Sequence, residues 1–262
     1  MTSLEQILYA WGASALLMAL LWVIQLKTSD AGIVDAVWAL AVGVISIFFA
    51  LSAEGDADRC LLISILAGAW SLRLGAYLLY RNFTLPEDGR YNRLRKEWGS
   101  RFQLKMFAFF QIQASWCVLF ALPMWMASTN SQRPLGLLDA LAAALWLVSV
   151  CGTAISDWQL ARFRANPETG KTVCRTGLWR YCRHPNYFYE WLHWWVYVLL
   201  CVGCDMQWWS LAAPLVMFVF LTRITGIPLT ESQALASRGE AYREYQRTTN
   251  AFFPWAPAGE ND

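Results

Sequence analysis

Seven apolar stretches constrain what this chain can fold into more than any other feature of its sequence. They run near 6–26, 32–53, 61–80, 106–128, 136–156, 187–204 and 207–227. About 20 apolar residues cover the roughly 30 Å of hydrocarbon in a bilayer. Inside that layer only helices and closed barrels satisfy their own backbone. All seven stretches read as helices, so the expected fold is an all-α integral membrane bundle of seven transmembrane helices. Composition agrees: 57% of residues are apolar, 15% are charged, and 16 tryptophans supply side chains that favour the membrane interface. Arg73 interrupts the third stretch; Glu190 and His193 interrupt the sixth.

Charge in the connections sets the orientation. The connection 81–105 carries Arg81, Arg90, Arg93, Arg95, Lys96, Arg101 and Lys105. The connection 157–186 carries Arg162, Arg164, Lys171, Arg175, Arg180 and Arg183, and the tail carries Arg238, Arg243 and Arg247. The alternate connections hold only Arg59 and Arg133. Positive loops stay inside, so the N-terminus is expected outside and the C-terminus in the cytoplasm. The expected location is a membrane, the cytoplasmic (inner) membrane if the chain is bacterial. The first residues lack a basic region, and no cleaved signal peptide is read. No linker, repeat or low-complexity tract is evident, so residues 1–262 are expected to form one domain. A short amphipathic helix is expected within 83–105 and another over 230–249, with Thr230 as its cap.

Chemistry concentrates in one segment. Arg175 to His193 begins basic and runs directly into the sixth apolar stretch. Asn186, Glu190, His193 and Tyr197 are spaced i, i+4, i+7, i+11 and share one helical face. A carboxylate facing lipid is costly, so this face is expected to turn inward. Arg164, Lys171, Arg175, Arg180 and Arg183 stand beside it, as phosphates of an anionic dinucleotide require. Positive-inside bias with lipid contact explains basic loops alone. It does not require Asn186 or Glu190. Thr153, Asp157, Leu160 and Arg164 share a face at the end of the fifth stretch, where an acid can accept ribose or amide hydrogen bonds. A surface pair between Asp157 and Arg162 or Arg164 is the plainer alternative.

A third stripe joins Trp70, Arg73 and Tyr77 on the third stretch, with Asp35 on the second as a neighbour or partner. Arg73 lies too deep to reach water easily and should face the interior. The stripe is either a structural buried pair or a group that holds a substrate carbonyl. Gly170-Lys171-Thr172 resembles the end of a phosphate-binding loop, but Ala165 stands where that loop needs glycine. With two histidines and seven scattered cysteines, no metal site is expected; Cys201-Val-Gly-Cys204 is the one closely spaced pair. Nothing points to nucleic acid or an obligate partner, and a monomer surrounded by membrane lipids is expected.

Gly177-Leu-Trp-Arg-Tyr-Cys-Arg-His-Pro-Asn-Tyr-Phe-Tyr-Glu190-Trp and the tail Arg-Gly-Glu-Ala-Tyr242-Arg-Glu-Tyr245-Gln…Phe-Phe-Pro-Trp255 resemble the membrane steroid 5α-reductase family, most closely its bacterial branch. Trp70-Ser-Leu-Arg73-Leu-Gly and Glu87-Asp-Gly-Arg90-Tyr91 fit the same branch. The resemblance implies a seven-helix enzyme that uses cytoplasmic NADPH to reduce a carbon–carbon double bond conjugated to a ketone, such as a 3-oxo-Δ4 steroid. It implies that most cofactor contacts fall within 136–262. Asp157, Arg164, Asn186 and Glu190 match cofactor-contacting positions, with Arg73 and Arg223 joining them. The family holds its substrate carbonyl with an acid of the second span and a tyrosine of the third. Asp35 stands for the acid. Trp70 aligns with the tyrosine, and Tyr77 on the same face is the expected substitute.

The expected catalytic residues are therefore Asp35, Tyr77 and Glu190. The expected cofactor residues are Arg73, Asp157, Arg164, Lys171, Arg175, Arg183, Asn186, Glu190, His193 and Arg223. A lipophilic substrate would enter from the bilayer. An aspartate donates a hydrogen bond only when protonated, a state that a low-dielectric site favours. The Arg-His-Pro-x-Tyr run and a late basic helix are also similar to membrane methyltransferases of the isoprenylcysteine or phospholipid type, which use S-adenosylmethionine. Seven spans and the density of cations favour the reductase.

Overall fold

A computed structural model describes residues 1–84, 89–131, 134–166, 169 and 172–258. Among these residues every regular element is helical and no strand occurs. The chain divides into two compact units: Met1–Leu135 with Gly203–Asp205, and Gly136–Val202 with Met206–Asp262.

The first unit holds α1 (Ser3–Thr28), α2 (Ile33–Ser52), α3 (Ala57–Thr84), α4 (Gly89–Trp98) and α5 (Phe102–Ser128). A capping box starts α1: the Thr2 hydroxyl accepts from the Glu5 amide, and the Glu5 carboxylate accepts from the Thr2 amide. Helices α2 and α3 approach closely. A Cβ on Gly75 would lie 2.6 Å from Leu40, and the Ser71 hydroxyl donates to the Ala39 carbonyl at 2.8 Å. Arg59, expected in an exposed loop, is instead fully buried in the first turn of α3. Its guanidinium donates to the carbonyls of Asn130 (2.8 Å) and Pro134 (3.3 Å), which satisfies the buried charge. The amphipathic helix expected within 83–105 forms as α4.

The second unit holds α6 (Leu137–Ala165), α7 (Leu178–Tyr181), α8 (Pro185–Cys201), α9 (Gln207–Ser210), α10 (Ala212–Val219), α11 (Ile227–Arg238) and α12 (Glu240–Thr248). Pro185 opens α8, where a missing amide hydrogen costs nothing. A π turn at Phe220–Ile224 joins α10 to α11. The expected tail helix 230–249 is two helices, broken at Gly239 (φ 57°), a left-handed position that glycine occupies without strain. Thr230 does not cap it. Helix α11 begins earlier, with Pro228 in its first turn, and the Thr230 hydroxyl donates back to the Gly226 carbonyl.

Among the described residues, six helices are long and apolar enough to cross a membrane: Ser3–Thr28, Ile33–Ser52, Ala57–Thr84, Tyr91–Ser128, Leu137–Ala165 and Gln207–Arg238. The last is longer than a bilayer needs, and its apolar run ends before Glu231. The remaining expected span, 187–204, forms α8, whose 17 residues reach about 25 Å, short of the roughly 30 Å hydrocarbon core.

Candidate functional site

In the second unit, α6 and α8 pack face to face through a glycine. A Cβ on Gly152 would fall 2.3 Å from the Tyr189 ring, so only glycine admits that ring. The Ser149 hydroxyl donates to the Tyr189 carbonyl at 2.7 Å. This approach brings the end of α6 to the start of α8. There the Asn186 side-chain amide donates to the Asp157 carboxylate at 3.2 Å, and its carbonyl oxygen accepts from the Tyr187 amide at 3.0 Å. Two predicted cofactor residues from different helices are thus directly joined.

The polar face of α8 turns inward as its spacing demands. Asn186 and Glu190 are half-buried; His193 and Tyr197 are fully buried and share a 3.2 Å hydrogen bond. Arg164, Arg180 and Arg223 are exposed, Arg223 on the π turn. Single π turns often mark functional positions. Lys171 lies outside the described residues.

Arg175 and Arg183, expected to grip phosphates, are engaged by the C-terminal tail. Arg175 donates to the Ala241 carbonyl (3.3 Å), lies 3.6 Å from the Glu244 carboxylate and stacks over the Tyr245 ring. Arg183 is nearly buried. Its Nε meets Glu231 at 2.7 Å, and its Nη1 donates to the carbonyls of Gln246 and Thr249. Both guanidiniums fasten α11 and α12 to the approach to α8.

Glu231 is the hub of that fastening. It accepts from Arg183, from His184 Nε2 at 3.2 Å and from Gln246 Nε2 at 2.8 Å. Burial raises its pKa, but hydrogen bonds from His184, Arg183 and Gln246, with the Arg183 charge, bring it down to about 2. Burial lowers the His184 pKa and outweighs the Glu231 carboxylate, so a neutral imidazole donates through Nε2. Burial pushes the nearby Cys182 thiol up to about 12; it stays protonated and donates to the Phe252 carbonyl at 3.0 Å. Phe252 is buried against Trp191 and Phe218, while Phe253 and Trp255 remain exposed. Only part of the tail's aromatic run therefore faces outward.

The hub makes stability depend on pH. Between its ordinary value near 4.5 and about 2, Glu231 is ionised in the folded chain but protonated in the unfolded one. Just below 6.5, His184 is likewise neutral when folded and charged when unfolded. In both windows the unfolded state binds more protons, so stability falls with acid. The thermal midpoint in detergent is expected to drop from pH 7 to pH 3, and Glu231→Gln should flatten the part below pH 5. An equally steep fall in that variant would remove Glu231 as its source.

In the first unit, the Tyr91 hydroxyl donates to the Asp35 carboxylate at 3.1 Å. Tyr91 is only 1% exposed, and its ring meets Phe109 edge-on. Asp35, Arg73 and Tyr77 are half-buried on α2 and α3. The sequence singled out Tyr77 for Asp35. It passed over Tyr91, although Tyr91 closes the Glu87-Asp-Gly-Arg90-Tyr91 run. It also passed over Glu231. The available signal was that Glu231 is the sole acid between Asp205 and Glu240, next to an apolar span.

Residues 21–249 match the family described as Protein of unknown function (DUF1295). The chain is also similar to Uncharacterized protein C594.04c of Schizosaccharomyces pombe (strain 972 / ATCC 24843). The two are 26% identical over 274 aligned positions, covering 92% of this chain and 77% of the relative. No solved structure matches the chain.

Proposed function

We propose that this chain, which belongs to the DUF1295 family, is a membrane reductase that uses NADPH to saturate a carbon–carbon double bond conjugated to a ketone. Its substrate is lipophilic, such as a 3-oxo-Δ4 steroid undergoing 5α reduction. The resemblance to steroid 5α-reductases underlies the reading. One observation carries it beyond resemblance: Asn186 and Asp157 are bonded at the mouth of α8, with Glu190 one turn further along the same inward face. In this reading α8 is the sixth of seven spans, the N-terminus is outside, and the cofactor residues face the cytoplasm.

The side chains fit such a cofactor. A dinucleotide phosphate needs cations, and Arg164, Arg180 and Arg223 offer exposed guanidiniums. A carboxamide and ribose hydroxyls need both acceptors and donors. Asp157 and Glu190 accept, and Asn186 does both. Arg175 and Arg183 also hold the tail. NADPH, when bound, would supply a hydride to the β-carbon, and water would supply the proton that the α-carbon takes. The protein's share is to orient the cofactor and to stabilise the charge that builds on the carbonyl oxygen. Asp35 and Tyr91 form the donor pair for that oxygen. In the structure the Tyr91 hydroxyl donates to Asp35, which holds the phenol in place; turned to the substrate, that hydroxyl would donate to the carbonyl oxygen.

The test is ligand identity. Protein purified in mild detergent is expected to bind NADPH saturably and to carry it through purification, as read by mass spectrometry of released small molecules. Saturable binding of S-adenosylmethionine without NADPH binding would replace the reductase by a methyltransferase.

A further inference from the structure

We propose that Glu231 is a positioning residue for Asn186, acting through His184 and Tyr187; the role in ligand binding rests on the reading of Asn186 as a cofactor residue. The two carboxylate oxygens of Glu231 are divided between segments. One accepts from Arg183 (2.7 Å) and His184 (3.2 Å), just before α8. The other accepts from Gln246 (2.8 Å) on α12. The His184 ring stacks on Tyr187 with centroids 5.4 Å apart and planes 7° from parallel. The Tyr187 hydroxyl in turn bonds Thr230, the residue before Glu231, at 3.1 Å.

Residues 183, 184 and 187 are therefore all held by one turn of α11. Asn186 sits inside that bracket. Its carbonyl oxygen is taken by the Tyr187 amide at 3.0 Å, which leaves its amide aimed at Asp157 at 3.2 Å. Among the described residues, Asn186 makes its side-chain hydrogen bonds to Asp157 and Tyr187, neither of them on α11. Glu231 and Thr230 set this orientation by fixing the backbone and ring on either side. A side-chain amide free to rotate would present donor and acceptor interchangeably. One that is held presents a single face, and pre-organisation of this kind strengthens binding without a new contact.

The experiment uses the full chain in lipid nanodiscs and compares wild type with Glu231→Gln, Asn186→Ala and the double variant. NADPH affinity is read by fluorescence, and amide hydrogen exchange is followed across 183–190. Glu231→Gln is expected to weaken NADPH about 10-fold and to speed exchange over 183–190 below its melting midpoint. The double variant should bind no more weakly than Asn186→Ala, because the two residues act on one contact. Losses that multiply, or wild-type affinity in Glu231→Gln, would overturn the proposal. If wild type itself does not bind NADPH, the reductase reading fails. Exchange then decides alone: unchanged rates over 183–190 in Glu231→Gln overturn the positioning role, and faster rates support it. Should Glu231→Gln not fold, Thr230→Val keeps the Glu231 carboxylate and removes the Tyr187 hydroxyl contact together with the Thr230 bond to the Gly226 carbonyl. It should give a smaller affinity loss with the same lack of additivity, and multiplying losses there overturn the proposal equally.

Discussion

Replacing Asp35 by alanine should cut turnover about 100- to 1,000-fold, the usual loss on removing one donor to an oxyanion, while NADPH affinity stays nearly unchanged. The expectation follows from the 3.1 Å hydrogen bond between Tyr91 and Asp35. In the proposed reaction the two side chains work as one group: the acid holds the phenol, and the phenol meets the carbonyl oxygen. Tyr91→Phe should therefore lose about as much as Asp35→Ala, and the double variant little more than either, since residues acting as a unit are not additive. Steady-state rates with a 3-oxo-Δ4 steroid, set beside equilibrium NADPH binding, supply the numbers. Equal losses in turnover and cofactor affinity would move Asp35 out of the substrate site. Full activity in Tyr91→Phe with a dead Tyr77→Phe would return the role to Tyr77.

Glu190→Ala should abolish tight NADPH binding while the protein still inserts and folds. A hydrogen bond to a charged group contributes about 1.5–3 kcal/mol, which corresponds to about 10- to 100-fold in affinity. Glu190 is half-buried on the inward face of α8, one turn past Asn186, so nothing nearby on that face replaces its carboxylate. Glu190→Gln keeps the shape and one acceptor, and should fall between wild type and alanine. Binding titrations on detergent-purified protein with a normal melting profile check both. Wild-type affinity in Glu190→Ala would put the nicotinamide elsewhere.

Much of the architecture is legible in the sequence because it is local. Apolar runs of span length set six helices that can cross a bilayer, and a run of 17 residues sets α8. The spacing of Asn186, Glu190, His193 and Tyr197 turned that face inward without reference to any partner, because a polar stripe on an apolar helix must leave the lipid. Where the local pattern was mixed, the reading slipped. The tail looked like one amphipathic helix, but Gly239 breaks it in a left-handed conformation. Arg59 looked like a loop cation, yet two distant carbonyls bury it.

The site divides along the same line. Residue types and helical periodicity by themselves set most of the helices and their polar faces, and singled out Asp35, Asp157, Asn186 and Glu190 as candidate site residues. Only the tertiary structure decided who pairs with whom. Asp35 meets Tyr91 across 56 residues, Asp157 meets Asn186 across 29, and Arg183 meets Glu231 across 48. Periodicity along one helix carries no information about the partner on another. That choice is made when two helices pack, as α6 and α8 do over Gly152, and each buried polar group takes the nearest group able to satisfy it.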